Sequence, residues 1–278
     1  MTGSKSSWRA GRAPRGGAVG LALALVAAWE LAGRLYGAPL LLPWPSYVLM
    51  VSFPSLAIFR GATGPDASQA LATLGSNLAI TLSRIVVGVV TGAACGVLLG
   101  IASFLMSRHC SRETLLLVVL RSLPLFALIP LFVLWFAGSE GGVWTYIAFS
   151  SMVIIATGVH QAIANVPRAY LLQARLLGAR PSQVLRTVVL PATTPELLAT
   201  VQNVLGLSWA FSLGAEYTAS RSGLGHLVYL SYIYADMGKI AALASVYGFC
   251  GLIFFYSWRL VAAHLGAWSK SSYLEGQI

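Results

Sequence analysis

The stretch that decides the fold is LQARLLGARPSQVLRTVVLP, residues 172–191, which lies between two long apolar runs. Its first half has Ala174, Leu177 and Gly178 at helical spacing, so we expect a short helix with a smooth ridge. Gly178 followed by Pro181 predicts that this helix ends in a tight turn. The stretch therefore predicts a short helix and a turn between two membrane-spanning segments.

The second half of the stretch is amphipathic over residues 184–190. It ends at Pro191, where we expect the chain to change direction before the next span. Three arginines, Arg175, Arg180 and Arg186, make the stretch positively charged. A basic helical hairpin held between membrane spans is typical of a docking surface for another protein.

The composition excludes an ordinary water-soluble domain. Hydrophobic residues make up 57% of the 278 residues and charged residues only 9%, whereas soluble domains are about 25% charged. The sequence therefore predicts an all-α, polytopic helical membrane protein. The net charge of +10 does not indicate nucleic-acid binding, because the cations fall on alternate segments between the apolar runs, as membrane topology requires.

The distribution of cations predicts six spans with both termini in the cytoplasm. Thirteen of the 18 lysines and arginines, Arg121 among them, lie on segments assigned to the inside. The five assigned to the outside are Arg34, Arg60, Arg84, Arg221 and Lys239. The predicted spans cover residues 18–35, 85–106, 115–136, 143–163, 197–215 and 240–260, with the docking stretch between the fourth and the fifth.

Three regions are predicted along the chain. Residues 1–17 are rich in Ser, Gly and Arg and contain no acid, so we expect a disordered basic cytoplasmic tail. Residues 18–268 form the transmembrane domain, and residues 269–278 form a second, short cytoplasmic tail. Within the domain, residues 36–77 contain five prolines and are predicted to be an external segment.

Glycines recur every four residues within the second predicted span. Gly88, Gly92, Gly96 and Gly100 fall on one face of the helix. Glycine allows two helix backbones to approach closely in a membrane. We therefore expect a neighbouring helix to pack on this face.

The third apolar stretch cannot be one regular helix, because Pro124 and Pro130 each remove a backbone hydrogen bond. Irregular backbone at membrane depth is tolerated where protein covers it or where it lines a cavity. Pro124, Ala127 and Pro130 are therefore candidates for lining a translocation pathway. Simple proline kinks are the alternative, and the sequence does not separate the two.

Neutral polar side chains lie within the fifth predicted span at Gln202, Asn203, Ser208 and Ser212. Ser208 and Ser212 share a helical face. These groups either hold neighbouring helices together or line the pathway. The sequence leaves both interpretations open.

Few ionisable groups lie in the predicted spans. Glu30 is one helical turn before Arg34, so an ion pair near the outer interface explains it better than a functional role. His160 lies near the inner end of the fourth span, where we favour a packing role over a proton relay. Glu216 is predicted to close the fifth span on the outer side.

The sequence lacks the motifs of common enzyme chemistries. It has no G-x-x-x-x-G-K-[ST] motif and only three lysines, so it offers no phosphate-binding loop for ATP. It has no H-E-x-x-H, C-x-x-C or G-x-S-x-G motif, and its three cysteines predict neither a disulfide framework nor a metal cluster. We therefore expect a transport protein without enzymatic activity, cofactor or metal.

The docking stretch resembles the cytoplasmic loop of the permease subunits of binding-protein-dependent ABC importers. That loop has the form EAA, three residues, Gly, nine residues, Ile, any residue, Leu-Pro. Ala174, Gly178, Val188, Leu190 and Pro191 fall at this spacing. The resemblance implies an ATPase-coupling loop whose contact residues are Ala174, Arg175, Leu177, Gly178, Ala179, Arg180, Val188, Leu190 and Pro191.

Two positions depart from the family pattern. Leu172 stands where the family usually has Glu, and Gln173 stands where it usually has Ala. The missing acid removes one polar contact expected with the ATPase and leaves the fold assignment unaffected.

Further segments resemble the aliphatic-sulfonate, taurine and nitrate branch of the same family, at residues 42–45, 121–124, 129–136 and 222–225. The resemblance implies a subunit in the cytoplasmic (inner) membrane of a bacterium that forms the pathway for a small solute. Sulfonates and taurine are the first candidates, followed by nitrate or bicarbonate and then by pyrimidine-type precursors. The implied partners are ATPase subunits, an extracytoplasmic solute-binding protein, membrane lipid and a second permease subunit, in a homodimer or a heterodimer.

An ion-coupled secondary carrier that works without an ATPase is the alternative function. Such a carrier usually has ionisable groups or broken helices in paired repeats near the membrane midplane. This sequence has one broken span and no convincing repeat. A channel is a weaker alternative, because no ring-forming charged filter is visible.

Overall fold

The computed structural model describes residues 15–107, 112–136 and 139–265, and within these ranges the chain is helical with short turns. Residues 1–14 and 269–278, which belong to the two predicted tails, lie outside the described residues. The predicted all-α class is confirmed.

The described helices are α1 (Arg15–Tyr36), α2 (Pro45–Tyr47), α3 (Ala67–Ser107), α4 (Arg112–Ser122), α5 (Ile129–Trp135), α6 (Glu140–Ala164), α7 (Arg168–Leu176), α8 (Pro181–Val184), α9 (Leu190–Ala219), α10 (Leu224–Ile233) and α11 (Met237–Leu265). Shorter segments between them are π-helical at Val48–Ser52 and Leu185–Val189 and 3-10 helical at Pro54–Arg60 and Leu125–Leu128.

In the part of the chain that the structure describes, four helical segments are long and apolar enough to cross a membrane: Ala67–Leu105, Glu140–Ala164, Pro181–Thr218 and Met237–Leu265. The predicted first span corresponds to α1, and the predicted third span corresponds to the broken segment α4–α5. The total of six spans stays a prediction.

Helix α3 is much longer than the span predicted for it. Its 41 residues correspond to about 60 Å at 1.5 Å per residue, roughly twice the hydrocarbon thickness of a bilayer. Residues 67–77, which the sequence placed in the proline-rich external segment, form its first turns. The helix contains no proline, so its hydrogen-bond ladder runs without a break.

Asp66 caps the start of α3. Its Oδ1 accepts hydrogen bonds from the backbone N–H and the hydroxyl of Ser68, at 2.8 and 2.7 Å. The bond from the Ser68 hydroxyl is the main cause that lowers the pKa of Asp66, followed by the backbone N–H groups of Gln69 and Ser68. The cap is therefore negatively charged at neutral pH, which suits a helix N-terminus.

Helices α3 and α6 form the centre of the fold, and they meet along the glycine face of α3. The four glycines of this face are all buried: Gly88, Gly92, Gly96 and Gly100. A Cβ atom on Gly92 would lie 2.4 Å from the carbonyl oxygen of Ala148, and one on Gly96 would lie 2.8 Å from that of Met152. These oxygens belong to the backbone of α6, so the two helix backbones touch along this face.

The third apolar stretch is broken, as predicted. Helix α4 ends before Pro124, whose ψ is 87°, and the 3-10 segment Leu125–Leu128 then leads into α5. Pro130 lies in the first turn of α5, where the missing N–H costs no helical hydrogen bond. The break therefore comes from Pro124, and the prediction that Pro130 also breaks the ladder is wrong.

The chain does not change direction at Pro191, contrary to the prediction. Residues 181–218 form one continuous helical span. Within it, the N–H of Leu190 bonds to the carbonyl of Leu185, one residue further back than in an α-helix. Because Pro191 has no N–H to donate, this wider turn accommodates the proline without ending the helix.

Many of the cations used in the charge count lie in helices rather than in loops, Arg84 and Arg121 among them. Arg84 is inside α3 and only 4% exposed, and Arg121 is in the last turn of α4. The sequence gives the position of a cation along the chain, but it does not show whether the side chain is buried within the folded protein. The distribution of the cations between the two sides of the membrane stays a prediction.

Glu30 pairs with Arg34, as predicted, at 2.6 Å between Oε1 and Nε. Glu30 also accepts hydrogen bonds from the backbone N–H and the hydroxyl of Ser46, at 2.9 and 2.7 Å. The ion pair therefore has a structural role, since it ties α1 to the start of α2.

Candidate coupling hairpin and polar cavity

The docking stretch forms a helical hairpin. Helix α7 is followed by Gly178, which has a φ of +75°. The N–H groups of Gly178 and Ala179 donate to the carbonyls of Arg175 and Ala174, both at 3.0 Å. This is a left-handed helix end that glycine adopts without strain. The predicted order of helix, turn and second helix is present.

The second helix of the hairpin begins directly after the turn. Pro181 is its first residue, where no N–H is needed. The backbone N–H of Arg180 donates to Oε1 of Gln183 at 2.8 Å. The hydroxyl of Thr187 donates to the carbonyl of Gln183 at 2.7 Å. Local hydrogen bonds therefore hold the hairpin in shape.

Large apolar side chains of the hairpin point away from the protein. Leu176 and Leu177 are 87% and 86% exposed, and Leu172 and Leu185 are more than half exposed. A Cβ atom on Gly178 would meet no atom within 4 Å. Exposed apolar side chains clustered beside exposed arginines mark a surface for contact with another protein.

A cavity of about 500 Å³ lies behind the hairpin, next to α3 and α6. Arg175, Ala179, Pro181 and Leu190 line its hairpin side. Val188 and Pro191, the other predicted contact residues, are half-buried on the continuous helix that leads from the hairpin into the apolar span. The hairpin is therefore continuous at its C-terminal end with the helix that enters the apolar span.

A buried arginine joins three helices elsewhere in the fold. Nη1 of Arg84 donates to Oε1 of Glu216 at 2.8 Å and to the carbonyl of Ser222 at 2.9 Å. Its Nε donates to Oε2 of Glu140 at 2.8 Å. Glu216 is fully buried near the end of α9, so it is paired inside the protein, and its predicted place at the outer end of the fifth span stays a prediction. The guanidinium matches several oxygens at once, as its planar fork allows.

The same cluster shapes the turn at residues 222–225. Gly223 has a φ of +96°, and its N–H donates to Oδ1 of Asn77 at 2.8 Å. The N–H of Gly225 donates to Oε2 of Glu216 at 2.9 Å. A Cβ atom on Gly223 would lie 2.5 Å from the Glu216 carboxylate, so only glycine fits.

A polar cavity of about 410 Å³ lies between α4, α6 and α9. Leu125, from the segment that follows α4, and Val153 and Ile154 of α6 supply part of its apolar wall. Its polar lining consists of Arg121, Thr157, Gln161, Glu196, Thr200 and Asn203.

The polar residues predicted on the fifth span lie in different surroundings. Asn203 lines the polar cavity, and Gln202 beside it is half-buried. Ser208 and Ser212 are fully buried, and the Ser208 hydroxyl donates to the carbonyl of Leu205 at 2.8 Å. Of these four residues, Asn203 is the one that lines the polar cavity.

The predicted pathway residues of the broken span are not among the residues that line the polar cavity. Pro124, Ala127 and Pro130 are exposed. The neighbouring Leu125 lines the polar cavity. The break at Pro124 therefore places Arg121 and Leu125 at the cavity wall.

The central and C-terminal helices match a known family. Residues 92–268 correspond to the family described as binding-protein-dependent transport system inner membrane component. The chain belongs to this family. The permease is 31% identical over 209 residues to the taurine transport system permease protein TauC of Escherichia coli (strain K12), which covers 75% of this chain and 73% of that protein.

Two further proteins are similar over most of their length. The permease is 28% identical over 253 residues to a putative ABC transporter permease protein of Methanocaldococcus jannaschii, covering 90% of each chain. Its fold is similar to a chain of the MetNI methionine ABC transporter in an inward-facing conformation. That match has a TM-score of 0.58 and 18% identity, and covers 71% of this chain and 96% of the other.

The family assignment decides between the two predicted functions. The protein is a multi-pass membrane permease of the ABC importer family. The alternative function, an ion-coupled secondary carrier, is therefore excluded.

Arg84 lies in the buried ion-pair cluster and Arg121 and Glu196 line the polar cavity, and the sequence predicted none of these positions. Each lies within or beside an apolar run, and an ionisable residue in that position is a signal for a functional or paired group. The partners of Arg84 and Glu196 come from distant segments, and Arg121 reaches the polar cavity only in the folded chain, so these positions were not visible in the sequence.

Two further predicted features concern histidine and metal. The ring of His160 packs edge-on against Phe104, with centroids 6.0 Å apart, so the ring has the packing contact that was expected of it. Across residues 15–107, 112–136 and 139–265, no group of three or more His, Cys, Asp or Glu side chains is arranged to hold a metal ion.

Proposed function

We propose that the permease moves a small organic or inorganic anion across the cytoplasmic (inner) membrane of a bacterium, with sulfonates, taurine and nitrate as the first candidates. The similarity to the taurine permease of E. coli supports this substrate class. Arg121 in the polar cavity supports it as well, since a guanidinium binds oxyanions.

The permease works with three kinds of partner. Separate ATPase subunits hydrolyse ATP and bind the hairpin, an extracytoplasmic binding protein delivers the solute, and a second copy of the permease completes the pathway as a homodimer. The exposed side chains of Leu172, Leu176 and Leu177 support the ATPase contact, because they bury little surface within the chain itself.

One observation carries the coupling mechanism. A single helical span runs from Pro181 in the hairpin to Thr218, and Glu196, Thr200 and Asn203 of this span line the polar cavity. The span is continuous, although it contains the wider turn at Leu185–Val189 and a proline at Pro195, so a displacement of the hairpin by the ATPase is passed along it to these cavity residues. Closure of the ATPase subunits is thereby converted into a change in the shape of the cavity.

Gly178→Asp should abolish ATP-driven transport and weaken co-purification of the ATPase. The new side chain projects into open space on the exposed side of the hairpin, the side that we propose contacts the ATPase. Aspartate tolerates the left-handed region better than most residues, so insertion and folding of the permease should be preserved. The measurements are ATPase pull-down and uptake into proteoliposomes.

Gly61→Asp is the matched control. Gly61 also has a positive φ, of +91°, and open space around it, and it follows the 3-10 segment rather than the hairpin. The Gly61→Asp variant should bind the ATPase and transport the solute normally. Full ATPase binding and coupled hydrolysis in Gly178→Asp would remove the hairpin from the mechanism.

The orientation of the permease is tested separately. We expect reporter fusions after Gly142 to be active only outside the cytoplasm, and fusions after Pro167 only inside it, because the cations follow the positive-inside rule. These positions lie at opposite ends of α6. A cytoplasmic signal after Gly142 would contradict the proposed topology with both termini inside.

A further inference from the structure

The polar cavity contains one cation and one acid that do not pair with each other. Arg121 comes from the last turn of α4, and Glu196 comes from the first third of α9. Within the described ranges, neither side chain takes part in an ion pair. The carboxylate of Glu196 accepts hydrogen bonds from Nδ2 of Asn165, at 3.1 and 3.3 Å. Both charges therefore remain available to a third group.

Unmatched charges in a membrane protein are costly and tend to mark solute pathways. A guanidinium presents a planar fork of N–H donors that matches two oxygens of a sulfonate or a carboxylate. A carboxylate accepts hydrogen bonds from an ammonium group, which has three donors and no acceptor. The two side chains therefore recognise opposite ends of a small molecule.

The rest of the cavity suits a polar solute of modest size. Gln161 and Asn203 each add an amide with two donors and one acceptor oxygen. The volume of about 410 Å³ lies within the usual range of small-molecule sites, roughly 300–1,000 Å³.

We propose that this cavity binds a zwitterion, with its sulfonate or carboxylate on Arg121 and its protonated amine on Glu196. The proposal rests on the proposed function, since it names the substrate class for the same pathway. A simple anion satisfies Arg121 but is repelled by the Glu196 carboxylate, whereas a zwitterion satisfies both charges. Taken together, the two side chains carry no net charge, so a zwitterion fits better than nitrate or an unsubstituted sulfonate.

The placement of the two charges also connects binding to transport. Glu196 lies on the continuous span that starts in the hairpin, whereas Arg121 lies on α4. A movement of the hairpin therefore changes the distance between the two charges. A zwitterion that bridges them in one state is released when they separate.

The test uses the purified complex of the permease with its ATPase subunits, without the binding protein. Taurine is compared with ethanesulfonate, which has the same two carbons and sulfonate but no amine, and glycine is compared with acetate. We expect the unchanged complex to bind at least one zwitterion about tenfold more tightly than its matched anion, because only the zwitterion gains the charged contact with Glu196.

Two variants separate the roles of the charges. Glu196→Gln should weaken zwitterion binding by about tenfold and leave or improve anion binding, so that the preference disappears. Arg121→Gln should weaken the binding of the zwitterion and of the matched anion, each by about tenfold. Arg259→Gln, an exposed arginine on α11, is the control and should change neither. Normal co-purification of the ATPase with each variant reports an intact fold.

Several outcomes would overturn the proposal. A Glu196→Gln variant that keeps the preference for the zwitterion contradicts it, as does an unchanged complex that binds neither zwitterion or that binds the matched anions equally well. The proposed importer function is judged separately by the Gly178→Asp experiment. Loss of coupling there, together with no effect at Glu196, would keep the importer and reject the zwitterion site.

Discussion

Replacing Arg84 with methionine should strongly destabilise the permease. The change leaves the fully buried carboxylate of Glu216 without the guanidinium that contacts it at 2.8 Å. Removal of one partner from a buried ion pair costs about 3–5 kcal/mol, a large share of a total stability of roughly 5–15 kcal/mol. We expect a much lower melting temperature in detergent and a low yield of monodisperse protein.

Three further variants identify the cause. Arg60→Met removes an exposed arginine and should melt like the unchanged protein. Arg84→Lys should fail to restore stability, because one ammonium cannot replace the planar fork that contacts Glu140, Glu216 and Ser222 together. Glu216→Gln added to Arg84→Met should recover part of the loss, since no unpaired charge is then buried. A normal melting temperature for Arg84→Met alone would show that the cluster does not stabilise the fold.

Gly92→Ala should destabilise the permease even though alanine is the best helix former. The added methyl group would lie 2.4 Å from the carbonyl oxygen of Ala148, and this atom belongs to the backbone of α6, so the helices must move apart. Overpacking of this kind costs about 1–3 kcal/mol. Gly92→Leu should cost more, and the melting temperature in detergent measures both.

Gly75→Ala is the matched control on the same helix. A Cβ atom on Gly75 meets nothing within 4 Å, so the variant gains only helix propensity, about 1 kcal/mol. We expect its melting temperature to stay the same or rise, whereas that of Gly92→Ala falls. A fall of the same size in both variants would mean that the close contact between α3 and α6 does not matter for stability.

Features that depend on residues close together in the sequence were predictable from the sequence. The left-handed turn at Gly178 needs glycine and is followed by Pro181, and the break at Pro124 follows from the geometry of proline. The four-residue spacing of Gly88 and Gly92 indicated a smooth face. Each of these features depends only on residues within a few consecutive turns of the chain, so the local sequence is enough to predict it.

Local rules failed where a neighbouring adjustment absorbed the expected effect. Pro191 predicted a change of direction, but the wider turn at Leu185–Val189 keeps the helix continuous. Pro130 predicted a break, but it falls in the first turn of α5, where no hydrogen bond is lost. Position within the helix decides what a proline does, and helix boundaries are the least predictable part of a sequence pattern.

The sequence by itself determined the helical class, the apolar spans and the hairpin, because these follow from composition and from short-range periodicity. Only the tertiary structure decided that Arg84 meets Glu216, 132 positions away, and that Arg121 and Glu196 share one cavity. Such pairings depend on which faces of distant helices are brought together. The backbone contact between α3 and α6 fixes part of that arrangement, and it is a property of the packed whole rather than of any single segment.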